Sequence, residues 1–203
     1  MANNHILDYG GVGLAETIRN CLDFGIDYVG AGANAIEASK PLIVVRNGVT
    51  VAFVNFCENE WSIAMPRSGG ANSMDVVDNY NQIREVKQQA DYVIVVIHGG
   101  HEHYPLPSPR MVKQYRFYAE VGADAVIGHH THCFSGYEVY GNTPIVYGLG
   151  NFIFTLNSPM EGWYWGAIAQ LNLEKGRPVQ LSIIPVEQVR GSFFLRRPSG
   201  ENV

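Results

Sequence analysis

The sequence has no long apolar run and no excess of positive charge. Its apolar stretches, such as residues 92–97, fall far short of the roughly 20 residues of a membrane-spanning helix, and the N-terminus lacks the basic and apolar regions of a signal peptide. Lys and Arg total 14 against 19 Asp and Glu, a net charge of -5 that argues against a nucleic-acid partner. These absences predict a soluble, cytoplasmic chain, or a membrane-anchored extracytoplasmic one if an anchor precedes Met1.

Cysteine is also scarce. The three residues Cys21, Cys57 and Cys133 are odd in number and widely spaced, which argues against a disulfide framework and favours a reducing compartment. The sequence shows no internal repeat, linker or low-complexity tract. With 203 residues, 46% of them hydrophobic, it predicts one domain over residues 1–203.

The pattern of apolar residues predicts an α/β fold. Residues 76–127 alternate helix, strand, helix and strand, with Asp75 and Ser108 placed as N-caps and two apolar runs typical of buried parallel strands. A right-handed crossover of this kind brings the carboxyl ends of both strands to one edge of the sheet. We also predict a helix over 12–25, a short strand at 28–29, a short helix over 35–39, a long loop over 57–74, and hairpins about Asn47-Gly48, Gly141-Asn142 and Lys175-Gly176.

Histidines are concentrated where the two central strands end. His98 closes the first, and His129, His130 and His132 follow the second. Neutral imidazole is the commonest metal-binding side chain, and ligands gather beyond the carboxyl ends of such strands. The pattern predicts a metal site, while a hydrogen-bonded polar loop is the simpler alternative.

Four ordered motifs extend this prediction: Ala2-Asn-Asn-His-Ile-Leu-Asp-Tyr-Gly10, His98-x-Gly-x-Glu102 followed by Pro105-x-Pro-Ser-Pro109, Gly128-His-His-x-His132, and Gly148-Leu-Gly-Asn-Phe152. Together they resemble the calcineurin-like metallophosphoesterases, and more closely their CapA branch, the bacterial capsule and poly-γ-glutamate synthesis proteins. The resemblance implies a metallophosphatase-like layered α/β/β/α sandwich with mixed sheets.

The resemblance also assigns roles to residues. It implies divalent ions (Mn, Zn or Fe), two in the intact site, held by Asn4 through its amide oxygen and by His98, His130 and His132. His5 would donate a proton to the leaving oxygen or stabilise its charge. Supporting or substrate-binding positions are Glu102, His129 and Asn151.

One departure from the family pattern changes these expectations. The acidic ligands that the family carries upstream of Asn-Asn-His have no counterpart after Met1. The chain therefore resembles an N-terminally truncated member that lacks its first strands and binds one ion or none. An exposed sheet edge would follow, and with it a possible homo-oligomer.

Three functions stay open from the sequence. The first is capsule biosynthesis with a metal-dependent phosphoesterase site, and the second is a non-catalytic assembly or export component of capsule synthesis that binds metal. The third is a metal-dependent amidase acting on the polymer. The expected partners are a phosphorylated or polymer substrate and other capsule-synthesis proteins.

Overall fold

A mixed six-stranded sheet organises the chain in the computed structural model, which describes residues 1–198. The helices are α1 (Gly10–Asp23), α2 (Ala35–Ala38), α3 (Val76–Lys87) and α4 (Pro109–Val121), with a 3₁₀ turn at Glu161–Tyr164. The strands are β1 (Ala31–Gly32), β2 (Leu42–Arg46), β3 (Val49–Cys57), β4 (Gly70–Ala71), β5 (Tyr92–His98), β6 (Ala125–His129), β7 (Tyr137–Tyr140), β8 (Thr143–Val146), β9 (Trp165–Asn172), β10 (Gln180–Gln188) and β11 (Leu195–Arg196).

The large sheet has the order β2-β3-β5-β6-β8-β7. Strands β3, β5, β6 and β8 run parallel, and the edge strands β2 and β7 pair antiparallel to their neighbours. His98 stands opposite both Cys57 and His129 in the strand registers, so three strands end at one edge. The predicted crossover and the α/β class are confirmed.

The predicted hairpins are also confirmed. Asn47 and Gly48 have φ values of 51° and 75°, the left-handed conformations that a type I′ turn requires between β2 and β3. Strands β7 and β8, and β9 and β10, form the other two. The prediction of a strand at residues 28–29 is wrong. The strand lies instead at residues 31–32, where β1 pairs with β4, a short strand within the long loop.

Helices α3 and α4 cover one face of the sheet. Both begin where the capping residues predict: Asp75 accepts hydrogen bonds from the N–H groups of Val77 and Asp78, and Ser108 accepts one from Met111. Each such cap contributes about 1 kcal/mol. Their apolar faces bury Ile83 and Tyr118 against the sheet.

The other face carries the small sheet β11-β10-β9. Leu171 and Val179 pack on Tyr92, Ile94 and the neighbouring strands, and a second cluster joins β9 and β10 to Ile127 and Val146. The described layers are therefore α/β/β.

Within residues 1–198, no helix is long and apolar enough to cross a bilayer. Association through the edge strands β2 or β7 stays a prediction.

A partly buried ion pair ties α4 to β7 and gives a pH-dependent prediction. Arg116 donates to both oxygens of Glu138 at 2.9 and 2.7 Å, and these bonds hold the pKa of that carboxyl below its ordinary value of 4.5. The unfolded chain therefore takes up a proton at higher pH than the folded one, so this contribution is complete above pH 4.5 and is lost as the pH falls.

Urea unfolding at pH 7 and pH 3.5 checks this. We expect Glu138→Gln to lose less stability between the two pH values than the wild type does, while Glu16→Gln on exposed α1 keeps the wild-type difference. Equal pH differences in all three proteins would contradict the role of this pair.

Candidate metal centre

Three polar side chains from distant parts of the chain meet at the end of β5. The Nε2 atom of His98 lies 2.9 Å from Oδ1 of Asn4 and 3.2 Å from Nδ1 of His130. Donor atoms that share one ion at 2.0–2.2 Å stand roughly 3–3.5 Å apart. The two distances from His98 Nε2 are therefore close to the donor spacing around a single ion.

The backbone after β6 explains how His130 reaches this position. His130 and His132 have φ values of 89° and 55°, in the left-handed region that costs side-chain-bearing residues about 1–3 kcal/mol. The turn leaves the His130 side chain only 5% exposed. Just before the turn, Gly128 allows β6 to approach Tyr147, because a Cβ there would stand 2.3 Å from the Tyr147 carbonyl oxygen.

The imidazoles of the centre are held neutral. Burial, followed by repulsion from His130 and His129, lowers the pKa of His98 to about 3. Burial also lowers the pKa of His130, against the opposing charges of Glu102 and Glu60, and it lowers the pKa of His129 at the end of β6. Neutral rings keep a lone pair for an ion at pH 7.

Two glutamates of the long loop also reach the centre. Glu60 accepts a hydrogen bond from Nδ2 of Asn4 at 2.9 Å, and its other oxygen lies 3.8 Å from Nε2 of His130. Glu58 accepts from the N–H of Gly100 at 2.8 Å and also from Arg110, and so holds the loop that follows His98. The sequence prediction missed both residues. The one feature of the sequence that could have indicated them is the presence of two carboxylates just after an apolar strand.

His132, the third histidine predicted as a metal ligand, lies beside His130 and contacts an aromatic cluster. Its ring centroid is 6.3 Å from that of His130, and the ring packs against both Trp163 and His103, with centroids 5.0 and 5.5 Å away. Its Nδ1 lies 2.8 Å from Oδ1 of Asn151. Asn151 therefore lies beside the site and orients His132, rather than facing the three close donors.

Glu102 and His5 stand at the rim. The Glu102 side chain is 44% exposed, and its oxygens lie 3.7–4.0 Å from His130, His132 and His103. The His5 side chain is 62% exposed, and its Nδ1 lies 2.9 Å from the carboxylate of Asp8. Both are open to a substrate.

The donor types of this set are ones that a divalent ion accepts. Two imidazole nitrogens and an amide oxygen hold three positions and leave others open, a combination suited to Zn, Mn or Fe. In the part of the chain that the structure describes, no three His, Cys, Asp or Glu side chains are arranged around a common ion position.

Comparisons with known proteins place these residues in a family. Residues 1–156 match the family described as "Bacterial capsule synthesis protein PGA_cap". "Capsule biosynthesis protein CapA" of Bacillus anthracis is 33% identical over 201 residues, which cover 95% of this chain and 48% of that protein. "PGA biosynthesis protein CapA" of Bacillus subtilis (strain 168) is 33% identical over 192 residues, with 92% and 49% covered.

The chain thus spans about half the length of these two relatives. A crystal structure of a hypothetical protein from Thermus thermophilus aligns with a TM-score of 0.46 and 16% identity, over 73% of this chain and 62% of that one. That similarity adds nothing to the fold described above. The match over residues 1–156 and the two CapA relatives show that the chain belongs to the PGA_cap family of bacterial capsule synthesis proteins.

Proposed function

We propose that this chain acts in the synthesis of a capsule polymer, poly-γ-glutamate or a polysaccharide, and hydrolyses a phosphoester at a centre for one divalent ion. The names of the two Bacillus relatives support the capsule role. The observation that carries the metal-dependent activity is the position of His98 Nε2, within 3.2 Å of both the Asn4 oxygen and the His130 nitrogen.

The residues of the centre would have different roles. Asn4, His98 and His130 would hold the ion, which when bound supplies Lewis-acid activation of the phosphoryl group. His5 would protonate the leaving oxygen through Nε2 when its ring carries both protons, because Nδ1–H is bound to the carboxylate of Asp8. Asn151 fixes the ring of His132, whose exposed edge would contact the substrate.

Hydrolysis of a generic aryl phosphate with Mn²⁺ or Zn²⁺ tests the proposal. We expect turnover by the wild type, a fall to the background rate in His130→Ala, and wild-type turnover in His101→Ala, which removes an exposed histidine of the same rim. Equal rates in wild type and His130→Ala would remove the enzymatic part of the proposal.

A second candidate is a metal-binding assembly or export component that has no hydrolytic activity. One observation favours it: Glu60 and Glu102 face the outer nitrogen of His130, Nε2, instead of joining the three close donors. This candidate predicts that the wild type binds an ion without turnover of aryl phosphate or polyglutamate, and that other capsule-synthesis proteins copurify with it.

A further inference from the structure

Glu60 contacts two of the three close donors at once, and on the sides that face away from His98. Its Oε2 accepts a hydrogen bond from Nδ2 of Asn4 at 2.9 Å. Its Oε1 lies 3.8 Å from Nε2 of His130, whose Nδ1 is directed at His98. In each neighbour the carboxylate therefore faces the atom that would not bind the ion, Nδ2 of Asn4 and Nε2 of His130.

These contacts bear on which atoms of Asn4 and His130 are presented to an ion. An amide whose N–H is bound to a carboxylate must turn its oxygen the other way, toward His98. The carboxylates of Glu60 and Glu102, each 3.8 Å from Nε2 of His130, favour a proton on that nitrogen and a free lone pair on Nδ1. Glu60 thus orients the amide of Asn4 and contributes to the His130 tautomer that metal binding needs.

Glu102 does not duplicate this arrangement. It lies at the same 3.8 Å from His130, but its side chain is 44% exposed against 26% for Glu60, and its other contacts are His132 and His103. Among the described residues, Glu60 is the carboxylate that reaches both Asn4 and His130. It is carried by the loop after β3, for which the family motifs assign no role.

We propose that Glu60 is a positioning residue of the metal centre, which orients Asn4 and His130 so that Oδ1 and Nδ1 bind one divalent ion together with His98. The inference rests on the proposed metal-binding function and deepens it. Groups that orient metal ligands in this way typically change metal affinity by about 10–100-fold when removed.

Titration of the metal-free chain with Co²⁺ or Zn²⁺, followed by absorption and calorimetry, measures this effect. We expect Glu60→Ala to bind about 10–100-fold more weakly than wild type. Glu60→Gln should recover part of the affinity, because its amide oxygen can still accept from Asn4. Glu161→Ala is the matched control, since that carboxylate is 91% exposed, and it should bind as the wild type does.

The tautomer of His130 supplies a second readout that a merely structural role would not change. Long-range ¹H–¹⁵N spectra of the metal-free wild type should show the proton on Nε2, and Glu60→Ala should show a mixture of tautomers. Circular dichroism and thermal unfolding establish that each variant is folded.

The outcomes separate the two proposals. A wild type that binds no ion overturns the proposed metal centre, while the tautomer still tests what Glu60 does. A wild type that binds the ion, with unchanged affinity and unchanged His130 tautomer in Glu60→Ala, overturns the role of Glu60 alone.

Discussion

Replacing His98 with alanine is expected to weaken Zn²⁺ or Mn²⁺ binding by more than about 100-fold and to remove hydrolysis of aryl phosphates. The effect should exceed the 10–100-fold typical of groups that only orient ligands, because a donor itself is lost. Nε2 of His98 is also the atom that both Asn4 and His130 approach, so the remaining two donors no longer share a neighbour.

Calorimetric titration of wild type, His98→Ala and the exposed-histidine control His101→Ala measures the loss. The variant should keep its fold, since His98 lies at the end of β5 and outside the apolar cluster between the sheet and the helices. An affinity within about threefold of the wild type would show that the ion, if bound, lies elsewhere, because even the loss of an orienting group costs about 10-fold or more.

The largest loss of stability is expected from Phe56→Ala. Phe56 is fully buried in β3 and packs on Tyr118 of α4, with ring centroids 5.7 Å apart. Truncation of a buried phenylalanine removes this contact and leaves a cavity, at a cost of about 3–5 kcal/mol in the free energy of unfolding. Phe56 stands opposite Ile97, the residue before His98, so the cavity would form in the layer between the sheet and the helices near the end of β5.

Urea unfolding checks this value against Phe194→Ala, whose side chain is 77% exposed and whose loss should change stability by no more than about 0.5 kcal/mol. A loss below about 1 kcal/mol for Phe56→Ala would contradict the packing described between the sheet and α4.

The sequence predicts the centre of this protein well, because local patterns decide it. Helix caps at Asp75 and Ser108, the apolar strands β5 and β6 and the crossover between them are set by neighbouring residues, and together they bring His98 and the histidines after β6 to one edge.

What the sequence does not predict depends on pairing between distant segments. The position of β3 beside β5 places Glu58 and Glu60 at the same edge, but a hairpin signal gives no information on which parallel strand lies next to β3. The His130-x-His132 spacing likewise suggests two ligands facing a common site. The spacing does not predict the left-handed φ at both residues or the contacts of His132 with Trp163 and Asn151.

Membership of the PGA_cap family and the metal centre are separate conclusions. The first rests on the match over residues 1–156 and on the two CapA relatives. The second rests on the positions of Asn4 Oδ1, His98 Nε2 and His130 Nδ1, and disproving it would not change the first.

The most direct measurement is a crystal structure of the chain soaked with Zn²⁺, with anomalous diffraction recorded at the zinc edge. We expect one anomalous peak about 2.0–2.2 Å from Asn4 Oδ1, His98 Nε2 and His130 Nδ1. No peak at these atoms, or a peak elsewhere with the three side chains still bonded to one another, would contradict the proposed centre.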